Sequence, residues 1–451
     1  MFILRWLWAN IKGDRAMYCA ALVMTVISQV MHLIAPILTQ QIIDTFLIGE
    51  QAAENLRTGT QTLIFMLCAM VGFTIIRCSV QYGANMCYEH TSQGLLYRVR
   101  KRLFDNIEKQ DASFYDRRRT GDIMTVVTGD LDMVRHAIAW IIKTTIECVV
   151  LYTATMIYFF MIDWIMALCM FTLTPLILLI AKGFKNAVGP FYVDLREKLS
   201  EMNTRAEENI SGNRVVKAFA REDTEIGKFD KSNKAYNDAN KKAAFTWLRF
   251  FPRLEITAQS LSVVCMLFGG IFVITGRLTF GEYAAFSGLV WTLSVPMRIL
   301  GNIVNDYQRF TASANKIIEL YYGRPFIVER ADAENVEGRI KGDVEFRNVS
   351  FSYGATEVFR DISFTAKAGE TVAIMGATGS GKTTLIDLIP RIYDVTGGAV
   401  LVDGHDVRLM KLSQLRGAVG IATQDVLLYS DTIEGNIAFG DIDLSYEDVE
   451  K

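Results

Sequence analysis

The fold class this sequence predicts is a helical membrane domain of six spans with long extensions, followed by an incomplete α/β domain built on a phosphate-binding loop. Three observations carry it. Hydrophobic residues make up 51% of the 451 and mean hydropathy is +0.22, high for a soluble chain. Apolar stretches long enough to cross about 30 Å of hydrocarbon recur near 17–43, 61–80, 137–162, 164–181, 256–275 and 282–300. Finally, Gly376 to Thr383 spells G-x-x-x-x-G-K-T between the strand-like TVAIM and the helix-like TTLIDLI, the context a phosphate loop requires.

The first stretch is a span and not a secretory signal. From Ala16 to Ile43 no Asp, Glu, Lys or Arg intervenes, and no small-residue cleavage site follows a short core. Loop charge then sets the direction. The segments after spans one, three and five (LIGEQAAENLRTGT, MID and TGRLTF) are short and carry at most one Arg each. Those after spans two and four hold LYRVRKR, DRRRTGD and GNRVVKAFARE, so the positive-inside bias places them in the cytoplasm. The phosphate loop follows span six and falls on that same side, which makes the chain a multi-pass protein of the cytoplasmic membrane with a cytoplasmic N-terminus.

The two basic segments read as helices. YEHTSQGLLYRVRKRLFDNIEKQ and REKLSEMNTRAEENISGNRVVKAF keep helical spacing of apolar residues with few breakers, so each continues its span as an arm of about 35–40 Å. The arms turn back at Ser113 to Gly121 and at Ala220 to Glu225.

The loop itself is chemistry in local form. Glycines at 376, 379 and 381 let the backbone of Ala377, Thr378 and Ser380 bend and turn N–H groups to one point, where the following helix also presents its N-terminus. Lys382 reaches β and γ phosphates, Thr383 offers a hydroxyl to Mg²⁺ and Thr384 one to an α or β phosphate oxygen. ATP and Mg²⁺ are the implied ligands. A net charge of −2 gives no basic field for nucleic acid. The seven cysteines form no C-x-x-C pair and the four histidines (His32, His90, His136 and His405) stand singly, which argues against a metal site.

Taken in order, FYDRRRTGDIMTVVTGDLDMVR (Phe114 to Arg135), ENISGNRVVKAFAREDTEIGKF (Glu208 to Phe229), LTFGEYAAF, FSYG (Phe351 to Gly354), the phosphate loop and VGIATQDVLLYSDTIEGNIAFG (Val419 to Gly440) resemble the exporter branch of the ATP-binding cassette (ABC) transporters. The resemblance covers nearly the whole chain, in the half-transporter arrangement. It implies a transmembrane domain over 1–322, a linker over 323–342 and the N-terminal portion of an ATP-binding cassette over 343–451. It further implies that Tyr353 stacks on adenine and that Gln424 reaches Mg²⁺ and the attacking water. Gln424 ends the strand-like AVGIAT, and ligands sit at the carboxyl ends of parallel strands in open α/β sheets. Ser113 to Asp116 and Ala220 to Glu225 resemble coupling helices. The family works as a pair of halves, so the resemblance implies a second half-transporter, identical or different, in the bilayer.

Some of the family's pattern is missing. After Gln424 there is no signature like L-S-G-G-Q, no apolar strand ending in Asp-Glu and no later His. Positioning a metal and a water is nearly all of phosphoryl-transfer catalysis, so these 451 residues are expected to hold ATP without hydrolysing it. Ser445 and Asp448 suggest a helix start, and TVAIM reads as a buried parallel strand short of neighbours. Both suggest a further stretch of about 120–150 residues in the parent protein.

In the spans, Lys143 and Glu147 lie four apart and either pair with each other or face an inner cavity. Asn302, Asn305 and Asp306 recur on one face past span six. Eighteen methionines read as packing or as a soft surface for amphiphilic, lipid or peptide cargo. The expected function is ATP-driven export by alternating access. An ATP-binding membrane regulator without transport turnover, or a scaffold, are the alternatives.

Overall fold

The computed structural model describes residues 2–48, 54, 58–424, 427–440, 444 and 446–450. Ser445 and most of the segment between the first two spans (49–53 and 55–57) lie outside them. The chain divides into two compact units, Met1–Asp105 with Ile123–Tyr322, and Asn106–Asp122 with Gly323–Lys451.

The first unit is all helix. Arg15–Leu47, Thr60–Glu108, Thr120–Ile162, Glu222–Ile274 and Phe280–Tyr322 are long and apolar enough to cross a membrane. The expected fourth span differs. It opens the unbroken 48-residue helix Trp164–Ser211, whose described apolar stretch is Trp164–Leu176, so among the described residues five helices are long and apolar enough to span where the sequence suggested six. Pro175 and Pro190 fall inside that helix. Both arms are continuous with their spans. Thr60–Glu108 has 49 residues and so runs about 73 Å, some 40 Å beyond a hydrocarbon core.

A core of Phe159, Met166, Met170, Leu261, Phe286 and Leu289 binds these helices together, with the Phe159 and Phe286 rings 4.3 Å apart. Outside that core the helices stay apolar. Phe65, Val71, Ile75, Met161 and Ile274 are exposed, as side chains facing lipid must be.

Short loops are pinned by polar contacts. Asp163 caps its helix by accepting from Met166 N at 2.8 Å, and its other oxygen meets Arg277 Nε at 2.6 Å. Thr279 and Glu282 close a reciprocal capping box: Glu282 N donates to Thr279 Oγ1 at 3.0 Å and Thr279 N to Glu282 Oε2 at 2.8 Å. Deeper in the helices Lys143 and Glu147 do pair, at 3.7 Å, and Gln81 Nε2 donates to Glu147 at 2.9 Å. Asp306 faces His136 at 3.9 Å, while Asn302 and Asn305 are exposed.

The second unit contains a four-stranded sheet. Its strands are β1 (Val344–Tyr353), β2 (Thr356–Ala366), β3 (Gly397–Val402) and β4 (His405–Asp406), in the order β2-β1-β3-β4. Every pairing is antiparallel, with Phe346 opposite both Phe364 and Val400. The sheet's buried side, Phe346, Val349, Phe351, Val400 and Val402, packs on Leu385 and Leu388 of the helix after the loop. That packing fixes where the loop ends.

Candidate nucleotide-binding site

Residues 371–375, expected as a buried parallel strand, are neither paired into the sheet nor buried, and Met375 is 91% exposed. Ala418 to Thr423, the second expected strand, is also irregular chain. The sheet explains both. A parallel strand apolar on both faces needs hydrogen-bonding neighbours and cover, and the four strands among the described residues pair only with one another, antiparallel.

The loop is nonetheless formed. Ser380 N donates to Ala377 O at 3.2 Å, closing a turn whose Gly379 and Gly381 have φ of +83° and +85°. Only glycine adopts this freely. At Gly381 the constraint is double, because a Cβ there would lie 2.6 Å from Val358 Cγ1. Lys382 then opens the helix Lys382–Asp387 and curls back. Its Nζ donates to Ala377 O at 2.8 Å and to Gly376 O at 3.1 Å.

This geometry places a cation inside a bend of backbone, satisfied by neutral carbonyl oxygens. Anionic oxygens would serve it better, since charge-assisted hydrogen bonds are about twice as strong. The residues therefore fit a polyphosphate. Thr383 is exposed at the mouth, whereas Thr384 is buried with its Oγ1 3.2 Å from the Tyr353 hydroxyl. Tyr353 ends β1 and is 41% exposed, so part of its ring is free for a planar partner while its edges touch Phe351 at 4.8 Å and Tyr393 at 5.3 Å. Lys382, Thr383, Thr384 and Tyr353 are thus brought together. Gln424 lies in an exposed bend, and among the described residues no hydrogen bond or ion pair joins it to the loop.

The first arm tip belongs to this same unit. Its helix, Ala112–Asp116, is capped by Asp111, which also gathers the start of the linker. Asp111 accepts from Ser113 Oγ, from Phe326 N, from Phe114 N at 3.2 Å and from Ile327 N at 3.4 Å. Burial opposes its charge, but hydrogen bonds from Ser113, Phe326, Ile327 and Phe114 together hold its carboxyl below the usual range. Asn106 Nδ2 adds a bond to Gly323 O at 2.9 Å, and Arg117 lies over the Phe326 ring at 4.8 Å. Val419 and Ile421 line a cavity of about 430 Å³ with Gln110, Ala112, Pro390 and Arg416. The second arm tip lies in the first unit, where the helices end at Ala218 and resume at Glu222 around Ala220, φ +49°.

Sequence reasoning did not single out Asp111 and Tyr393. The partners that give them their roles, Phe326 for Asp111 and Asp116 for Tyr393, lie far away in the chain, and neither sits in a repeating pattern.

Comparison with known proteins adds a family model described as "ABC transporter transmembrane region" that matches residues 18–297, and one described as "ABC transporter" that matches 359–450. Among similar proteins, the "ATP-dependent lipid A-core flippase" of Syntrophus aciditrophicus is 30% identical over 94% of this chain and 68% of its own length. The "Putative multidrug export ATP-binding/permease protein YgaD" of Bacillus subtilis is 30% identical over 92% and 71%. The "Uncharacterized ABC transporter ATP-binding protein YknU" of the same organism is 29% identical over 95% and 72%.

Proposed function

This chain belongs to the ABC transporter family, and from that premise we propose that it is one half of an ATP-driven exporter working across the cytoplasmic membrane by alternating access. The observation that carries the reading is the Lys382 ammonium held within a glycine-bent loop, in a chain whose other unit consists of membrane-length helices. Lys382 with the backbone of Gly376 to Gly381 would hold the phosphates, Thr383 and Gln424 the Mg²⁺, Thr384 an α or β phosphate oxygen, and Tyr353 the adenine. When bound between two halves, MgATP supplies the free energy for closure and, on hydrolysis, for reset. The chain's own part is to convert that closure into movement of its long helices, a rigid-body rocking of the kind transporters use.

The cargo we propose is amphiphilic, lipid-like or drug-like. The names of two relatives support this, as do the exposed apolar helix faces. The direct test is Lys382→Ala in the cell of origin, followed by ATP-dependent uptake of a fluorescent amphiphile into inside-out vesicles. Uptake should vanish with the lysine. Uptake that survives the substitution excludes the exporter reading and leaves a regulator or a scaffold.

A further inference from the structure

A line of contacts within the second unit leads from the loop to the first arm tip. It begins at Thr384, in the first turn of Lys382–Asp387, whose hydroxyl meets the Tyr353 hydroxyl at 3.2 Å. The Tyr353 ring stands edge-on to Tyr393, with centroids 5.3 Å apart and planes at 89°, and Phe351 closes the cluster 5.7 Å from Tyr393. The Tyr393 hydroxyl donates to Asp116 Oδ2 at 2.7 Å. Asp116 is the last residue of the tip helix. Burial and then the Asp116 carboxylate push the Asp387 carboxyl up, so the tip's charge is felt at the far end of the helix that begins with Lys382. Burial and the bond to Asp116 also raise the Tyr393 phenol, which keeps it a donor.

The direction of these bonds depends on what the loop holds. A phosphate oxygen only accepts, so a Thr384 hydroxyl bonded to one spends its single proton there. Its bond to Tyr353 then has Tyr353 as donor. Without an anion either hydroxyl can donate, and Tyr353 is held less firmly. A base lying on the exposed part of the Tyr353 ring restricts that ring further. Tyr393 packs on this ring edge, and what it holds is the arm tip.

We propose that Tyr393 is a positioning residue that ties the first arm tip, at Asp116, to nucleotide occupancy of the 376–384 loop. The inference rests on the nucleotide reading above and adds the path by which that site is felt at the tip. Removing the Tyr393 hydroxyl takes from Asp116 the donor that Tyr393 supplies while the charge of Asp387 remains near it, and like charges then favour release.

The test uses the full 451-residue chain in lipid nanodiscs. Affinity is read with a ribose-labelled fluorescent ATP analogue, and tip retention by the rate of tryptic nicking at Arg117 to Arg119 with and without MgATP. In the wild type, nucleotide should slow nicking by roughly three-fold or more, the scale of coupling between linked sites. Tyr393→Phe and Asp116→Ala should each bind the analogue within about two-fold of wild type yet nick fast whether or not nucleotide is present. Protection that persists in Tyr393→Phe overturns the proposal. So does a parallel loss of analogue affinity, because Tyr393 would then merely support the loop. A wild-type chain that binds no analogue overturns the nucleotide reading and this proposal with it, whereas binding with unaltered protection in the variant overturns this proposal alone.

Discussion

At the scale of single residues the molecule depends on a few side chains that serve two segments at once. Lys382 is the clearest in the sequence, because everything it needs is local: glycines at fixed offsets and a helix start. Its ammonium bonds two loop carbonyls; exchanging those for phosphate oxygens gains charge-assisted bonds worth about 1.5–3 kcal/mol. Lys382→Ala should therefore weaken MgATP binding by roughly ten-fold or more, measured by titration of a fluorescent analogue, with the fold left intact. Asp111 is the opposite case. Its bond to Phe326 N spans 215 positions, and no spacing rule reaches that far. Hydrogen bonds hold its folded-state carboxyl below its ordinary value despite burial, so its contribution is fully present above the unfolded value of about 3.9 and fades as pH falls through the lower folded value. Asp111→Asn puts an amide where two oxygens accepted, leaving linker N–H groups without a partner at about 1–3 kcal/mol. Chymotryptic cleavage after exposed Phe326 should then be faster at neutral pH, and wild-type protection of the Phe326 amide against hydrogen exchange should fade as pH falls through the lowered Asp111 value. Equal rates at neutral pH would show that Asp111 does not hold the linker.

Among the elements, the long helices were the most legible part of the sequence and the strands the least, for a physical reason. A helix satisfies its own backbone, so a periodic apolar pattern is enough to place Thr60–Glu108 and Trp164–Ser211. A strand is defined by its neighbours. Val344–Tyr353, with Glu345, Arg347 and Asn348 in it, has two partners and forms; TVAIM, more apolar, has none among the described residues and stays irregular. Loop closure between spans was also out of reach of pattern. Asp163 is only 8% exposed and meets Arg277 at 2.6 Å, across 114 positions. Arg277→Ala leaves that carboxylate with its helix-cap bond alone. The expected loss is about 1.5–3 kcal/mol, the scale of a hydrogen bond to a charged group. It should appear as a lower thermal midpoint in nanodiscs that Arg277→Lys restores in part. An unchanged midpoint would mean that water already satisfies Asp163.

At the scale of the whole molecule the question is what these 451 residues would do with the nucleotide proposed for the loop. Binding and turnover need different parts. Binding needs the bent loop, Lys382 and a surface for the base, and each is present in the second unit. Turnover needs, in addition, a group that orients water and a partner's segment over the γ phosphate. Phosphoryl transfer gains most of its rate from such positioning, so good affinity does not substitute for it. The purified chain in nanodiscs should bind MgATP and bind it roughly ten-fold more weakly or worse with Lys382→Ala, and phosphate release is then a separate readout of positioning. If the chain alone releases phosphate in a Lys382-dependent way, then a group within it performs the base's role. Gln424, at the end of the irregular 418–423 segment, would be the first to replace, by Ala, because a stretch that is not locked into the sheet is free to bring that side chain to the loop when nucleotide binds.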